Sequence, residues 1–416
     1  MHLGGTCVNP VIVIPSYWAA DGRPREIGAV GVYDHTTPTD KPLPELETCL
    51  ESLEQVRGIT RVIVLLVSAP GSERAARARV GSICRAHPNL NPLIVGSREA
   101  AVIAEVVSKF IRGMDGETIS LRGYGAIRNC GLIAASVLGH DAVVFLDDDE
   151  VVLDDSFLID AVYGLGQRTR QNLKVLAKSG YFLDREGSPL AGGNVRWSDR
   201  LWSKHEEFDA WMMRALASTR ISRSNVGCGG CMALHAEAFT QVAFDPWITR
   251  GEDLDYVINL RAFGLDMWFD NEWCVRHLPP PTPSSAQRFL QDVYRWTYEA
   301  SKVELINGRA NLRRITPESL MPYPGPWITS DVAPRIRSTA LRRAITSSER
   351  SDYLAIWRYG CAQAAEYARS HADSYLRLQS YWPEVISTLW DVPQLAKAIR
   401  ESGDPFARGS EAGEAR

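Results

Sequence analysis

What this chain lacks excludes several classes of protein before any motif is read. No apolar run approaches the roughly 20 residues that a bilayer-spanning helix needs, so no transmembrane segment is expected. No basic stretch followed by a long apolar one opens the sequence, so no secretory signal is predicted. No Gly-x-Gly-x-x-Gly follows the first apolar run and no Walker loop occurs, which argues against a dinucleotide fold and a P-loop NTPase. Basic residues are not in excess: 46 Lys and Arg against 50 Asp and Glu leave a net charge of −4, with no general basis for binding nucleic acid. Eight cysteines (Cys7, Cys49, Cys84, Cys130, Cys228, Cys231, Cys274 and Cys361) are scattered, mostly in apolar runs. That usage suits reduced thiols rather than a disulfide framework, so a soluble, cytoplasmic protein is expected. Cys228-x-x-Cys231 lacks the second Cys pair or nearby His pair that a tetrahedral zinc site requires.

What is present is an ordinary globular composition, 45% hydrophobic and 23% charged over 416 residues, enough for two or three domains. The chain is organised around Ala142-Val-Val-Phe-Leu146, which reads as a strand buried on both faces and runs straight into Asp147-Asp-Asp-Glu150. Carboxylates crowded in this way repel one another, and a divalent cation with a preference for hard oxygen ligands, Mg²⁺ or Mn²⁺, relieves the repulsion. A solvated acidic turn is the simpler alternative.

Upstream, strands and helices alternate. Val11-Ile-Val-Ile14 is a short strand that ends at Pro15-Ser16-Tyr17. Helical spacing over 44–57 leads to a strand over 61–67, a helix over 72–86, a short strand over 92–95 and helices over 98–112 and 124–138. Such alternation predicts a mostly parallel sheet covered by helices, with ligands gathered at the carboxyl ends of its strands. The four acids stand at one of those ends.

From about 152 to 226 the periodicity breaks, which suggests loops with room for a substrate. Trp197, Trp202 and Trp211 lie there, suited to stacking on a sugar or to plain packing. Gly229 and Gly230 follow, where the backbone can approach a ligand closely. A helix spans Gly251 to Phe263, with Asp253 beside its buried stripe and Glu252 directed away from it; a carboxylate in that first turn stays ionised against the free N–H groups. Residues 285–400 read as helical throughout, and Arg335, Arg337, Arg342 and Arg343 form a local basic cluster, either a solvated helix face or an anion contact. Domains are therefore expected at 1–283, with acceptor loops at about 185–226, and at 284–402, followed by a disordered tail over 403–416.

Four stretches taken in order resemble GT-A glycosyltransferases, most closely glycosyltransferase family 2, over roughly residues 8–283: Val11–Tyr17, Arg128-Asn129 ahead of Phe145–Asp149, Gly229–Leu234, and Gly251–Asp253 with Arg261. The resemblance implies a GT-A, Rossmann-like α/β fold. It also implies a metal-dependent transfer from a nucleotide-sugar donor to a hydroxyl of a soluble acceptor. In that family's pattern Asp147-x-Asp149 holds Mn²⁺ or Mg²⁺ together with His277, and Asp148-x-Glu150 is an alternative register. Pro15 and Tyr17 would line the base pocket. Ser16, Arg128, Asn129, Asp147, Asp148, Gly229, Gly230 and Glu252 would line the rest of the donor site, with Asp253 as the general base of an inverting reaction. The family's usual Asp after the second strand is replaced by Val67-Ser-Ala-Pro70. The helical C-terminal part resembles the soluble mannosylglycerate synthase type, which retains configuration; there Asp253 would orient a substrate. A sugar-1-phosphate nucleotidyltransferase would need a Gly-rich loop where Ile14-Pro-Ser-Tyr17 stands, and a non-catalytic carbohydrate-binding relative has no reason to keep Asp149, Asp253 and His277 together. A homo-oligomer is left open.

Overall fold

The structure is a computed structural model describing residues 8–20, 36–110, 119–193, 195–281, 284–329 and 331–407. In chain order its elements are β1 (Pro10–Ala19), β2 (Thr37–Pro38), α1 (Glu45–Leu53), β3 (Val62–Ser68), α2 (Glu73–Ala86), β4 (Pro92–Val95), α3 (Ser97–Phe110), α4 (Tyr124–Val137), β5 (Ala142–Phe145), β6 (Glu150–Val151) and α5 (Phe157–Val162). There follow β7 (Ala177–Leu183), α6 (Lys204–Leu216), β8 (Ile221–Ser224), β9 (Met232–His235), α7 (Ala236–Phe239), α8 (Glu252–Ala262) and β10 (Met267–His277), then α9 (Ser285–Asn307), α10 (Val332–Thr346), α11 (Arg350–Ala355), α12 (Cys361–Leu389) and α13 (Pro393–Gly403).

The described strands form one sheet in the order β4-β3-β1-β5-β9-β7-β10-β6, with β2 beside β1 and β8 beside β10. Strands β4, β3, β1 and β5 run parallel, β9 opposes both of its neighbours, and β7 and β10 are parallel to each other. The expected α/β fold, a mostly parallel sheet under helices with a helical C-terminal extension, is the one observed. Strand β1 shows how the sequence dictates the layering: Val11 and Val13 enter one core, Ile12 and Ile14 the core on the opposite face. Among the described residues all cysteines are free, and no helix is long and apolar enough to cross a membrane.

Four expectations are corrected. Strand β1 does not stop at Pro15 but pairs with β3 as far as Trp18, whereas its pairing with β5 ends at Val13. The Ile12 N–H is directed towards β3, so alternation puts the missing N–H of Pro15 on the β5 side, where the ladder lapses and the chain after Phe145 is released. Second, the stretch over 152–226 contains a central strand, β7. Its Lys178 sits fully buried and donates to Asp270 Oδ2 at 2.8 Å and to the Tyr163 carbonyl at 3.0 Å. A lysine in the core breaks the apolar pattern by which strands are read.

Third, 308–329 is not helical apart from turns at Pro317–Leu320 and Gly325–Trp327, because Pro317, Pro322, Pro324 and Pro326 cannot continue a helix. Fourth, the expected tail is ordered through residue 407: Gly403 packs on the Ile94 carbonyl and Arg85 donates to the Pro405 carbonyl at 3.1 Å. The rest of that tail lies outside the described residues.

The C-terminal helices share the sheet's core. Trp382, Ile386, Leu389 and Ile399 belong to one apolar cluster with Val11, Val13, Ile133 and Val143. On α9, Lys302 Nζ bonds Asp245 Oδ2 at 2.8 Å and also Asp255 of α8, while Tyr298 donates to Asp245 Oδ2 at 2.8 Å; all four are buried.

Removing one partner of a buried pair strands the other charge, so Asp270→Ala should lower stability by about 3–5 kcal/mol. Urea unfolding at neutral pH measures this; a loss below about 1 kcal/mol would show that Lys178 finds other compensation.

Candidate active site

Strand β5 delivers the acids, and each then takes a different partner. Asp147 faces Arg128, whose Nη2 lies 3.0 Å from its Oδ1. Asp148 accepts the Ser16 hydroxyl at 2.5 Å, and Ser16 is fixed in turn by the Trp18 indole N–H at 2.8 Å. Asp149 Oδ2 lies 3.3 Å from Nε2 of His277. Glu150 turns inward, accepts the Asp147 N–H at 3.1 Å, and occupies the space a side chain at Gly230 would need. His277 reaches the turn because β6 and β10 pair antiparallel, with His277 opposite Glu150.

The electrostatics of this turn show too little positive charge. Burial, then the neighbouring charge of Asp149, pushes the Asp148 carboxyl well above the usual range, against the Ser16 hydrogen bond. Burial with Asp147 and Asp149 does the same to Glu150, which the Asp147 N–H and Arg128 only partly relieve. Burial disfavours the imidazolium of His277, but the hydrogen bond to Asp149 and the charges of Asp149 and Asp147 outweigh it and raise the His277 pKa. A cation would answer all three.

Among the described residues no three His, Cys, Asp or Glu side chains converge into a ready-made metal cage. Of Asp147, Asp149 and His277, the structure brings together the last two, while Asp147 turns to Arg128. Neighbouring octahedral ligands at about 2.1 Å from Mg²⁺ or Mn²⁺ are about 3.0 Å apart. The Asp149–His277 pair therefore fits one ion, whose remaining positions suit phosphate oxygens and water.

Arg128 also donates to Glu252 Oε1 at 3.0 Å, so Glu252 is buried rather than directed outward. The reason is that α8 is buried almost all round and has no solvent face for Glu252 to occupy. Burial raises the Glu252 pKa and Arg128 offsets part of that rise. Asn129 points elsewhere: it is fully buried, with its amide exchanging two 2.9 Å hydrogen bonds with the Phe244 backbone, so it holds a loop. Pro15 and Ser16 are buried within β1 and Tyr17 is half-buried on the sheet.

Asp253 stands in the first turn of α8. Its oxygens accept the Gly229 N–H at 3.3 Å and the Leu254 N–H at 2.7 Å. The turn into α8 needs Gly251, which has φ +70° and leaves no room for a Cβ beside the Arg295 guanidinium. Asp253 opens into a cavity of about 300 Å³ lined by Tyr181, Phe208, Trp211, Lys204, Arg295 and Tyr323, among others. Phe182, also in the lining, touches the His277 ring edge-on at 5.2 Å.

Several of these residues escaped sequence reasoning. Arg295 comes from a helix assigned to a separate part, and Phe182 from the unrecognised strand β7. Of the candidate stacking residues, Trp202 and Trp211 are packed inside, and Trp197 is exposed under the Arg342 guanidinium. Two of the clustered arginines face inward, Arg343 to Asp199 at 2.7 Å and Arg335 over the Trp327 ring.

No family model and no curated protein matches the chain. Solved structures do. A mannosyltransferase from Pyrobaculum calidifontis, in complex with GDP-mannose and Mn²⁺, is 15% identical over 92% of this chain and 88% of its own, with a TM-score of 0.45. GalNAc-T7 with UDP, GalNAc and Mn²⁺ is 12% identical over 93% of this chain and 59% of its own, at 0.39. Glucosyl-3-phosphoglycerate synthase from Mycobacterium tuberculosis, with Mn²⁺ and UDP-glucose, is 15% identical over 66% of this chain and 72% of its own, at 0.34. At such scores the site's own geometry has to decide its chemistry.

Gly230→Ala would force Glu150 out of its place, and overpacking of this kind costs about 1–3 kcal/mol. A fall in melting temperature together with weakened Mn²⁺ binding by calorimetry is expected; unchanged values in both would show that the turn yields freely.

Proposed function

We propose that this protein is a metal-dependent glycosyltransferase that moves a sugar from a nucleoside-diphosphate sugar to a hydroxyl of a soluble acceptor, with inversion. The observation that carries the reading is the pairing of Asp149 with His277, whose ring meets Phe182 in the lining of the cavity where Asp253 stands. Asp149 and His277 would hold Mn²⁺ or Mg²⁺ and leave room for phosphate oxygens, and the ion would supply positive charge to a departing diphosphate.

The residues of the chain carry the rest. Arg128 keeps Asp147 and Glu252 neutralised, so the diphosphate meets less repulsion at the mouth of the sheet. Gly229 and Leu254 hold the Asp253 carboxylate in one orientation through their N–H groups. The acceptor oxygen attacks the anomeric carbon, the bond from that carbon to the diphosphate oxygen breaks, and the hydroxyl proton passes to Asp253.

A thermal-shift screen of UDP-, GDP-, dTDP- and CDP-sugars, each with Mn²⁺ and with EDTA, identifies the donor, since a ligand of the native state raises its melting point. A metal-dependent shift with one donor is the expected result; none with any donor would defeat the proposal. Asp149→Ala should abolish the metal-dependent shift while the EDTA melting curve stays close to that of the wild type. Asp253→Asn should keep the shift and lower turnover by at least ~10²-fold, the lower range of base catalysis. Near-normal turnover in Asp253→Asn would remove the base role.

A further inference from the structure

Among the described residues Cys228-Gly-Gly-Cys231 joins no metal-binding cluster, and the reaction above uses neither thiol. The Cys231 N–H donates to the Cys228 carbonyl at 3.1 Å and closes a four-residue turn with Gly229 and Gly230 at its centre. Such a turn keeps its end Cα atoms within about 7 Å, and a disulfide needs about 4.4–6.8 Å. Both thiols belong to one face of the sheet: Cys231 lies in the core shared by Ile12, Ile14 and Trp273, and Cys228 packs against it. They differ in access. Cys231 is fully buried beside Gly180, whereas Cys228 is half-buried and lines the cavity at Asp253. A third thiol, Cys274, stands between Trp273 and Val275 of that core, so alternation turns it to the opposite face, towards Tyr181. Burial, then the charges of Glu150 and Asp253, raises the Cys228 pKa, so the thiol stays protonated at neutral pH and the dithiol is the resting state.

We infer that Cys228 and Cys231 form a peroxide-responsive thiol pair whose disulfide distorts the turn between Asp253 and the acids after β5. The thiolate of Cys228, the accessible member, attacks a peroxide oxygen; the O–O bond breaks and leaves a sulfenic acid and, after uptake of a proton, water. The Cys231 sulfur then attacks the Cys228 sulfur, the S–S bond forms, and the hydroxyl leaves with the Cys231 proton as a second water. Two thiols and one hydrogen peroxide thus give one disulfide and two waters. Drawing the sulfurs to about 2.05 Å pulls on a turn without slack. Gly229 donates its N–H to Asp253 at 3.3 Å and has no room for a Cβ beside Arg128, while Gly230 lies against Glu150.

The full chain is treated with hydrogen peroxide, alkylated and digested, and its linked residues are read by mass spectrometry. A Cys228–Cys231 bond that a phosphine reductant reopens is the expected result. Cys231→Ser removes the resolving thiol and should leave Cys228 as a sulfenic acid that dimedone traps; Cys231→Ala sets the same trap without a buried hydroxyl. No bond after peroxide, a bond from either residue to Cys274, or no dimedone adduct in both variants would overturn the pair. Calorimetric titration of the reduced and oxidised chain with Mn²⁺ tests the effect on the site. Oxidation should weaken binding about fivefold or more, the lower range of coupling between sites, and reduction should restore it. Equal affinities of the two forms would overturn the coupling. Absence of Mn²⁺ binding in the reduced chain removes the metal-dependent reading above instead, while the disulfide map still decides the thiol pair.

Discussion

The mouth of the sheet depends on Arg128 standing between Asp147 and Glu252. Those acids belong to different elements, one to the turn after β5 and the other to the start of α8, and without a shared cation they would repel. Their approach brings the first turn of α8, and Asp253 with it, up to the turn after β5. The close fit at Gly229 follows from it, because a Cβ there would meet the Arg128 guanidinium. A buried cation with acids on two sides is costly to assemble, and it is retained where position matters more than stability.

The turn after β5 is short of positive charge. Its acids outnumber its cations, and burial together with mutual repulsion raises the pKa values of Asp148 and Glu150. Beside the cavity the charges are matched instead: Lys204 and Arg250 meet Asp292, and Arg295 meets Glu299 with Asp253 near it. A ligand that brings a cation with its phosphates would supply what the acidic turn lacks.

How much of this was legible in the sequence depends on the range of the interactions. The acidic turn after β5 could be read because its signal is local, a buried apolar run followed at once by four carboxylates. Which acid faces which partner could not. Asp147 chooses Arg128 and Asp149 chooses His277 through contacts between distant parts of the chain. Strand β7 was hidden by Lys178, whose burial is tolerable only beside Asp270, 92 residues away. Glu252 was misplaced because periodicity assumes a helix with a wet side, and α8 has almost none. Asn129, next to Arg128, turned out to hold a loop. The place of Arg295 beside Gly251 had no local trace, since a guanidinium in an amphipathic helix is ordinarily a surface group.

Helix α9 ties the cavity at Asp253 to the scaffold under it. Arg295 supports the entry of α8 at Gly251, and two turns further on Lys302 neutralises Asp245 and Asp255 beneath the same helix. The C-terminal helices are therefore not a cassette that could be exchanged for another while the sheet stayed intact, because their departure would strand two acids in the core. A change in the cavity's lining would therefore have to come as point substitutions on α6 and in the proline-rich stretch around Tyr323, with α9 kept as a fixture.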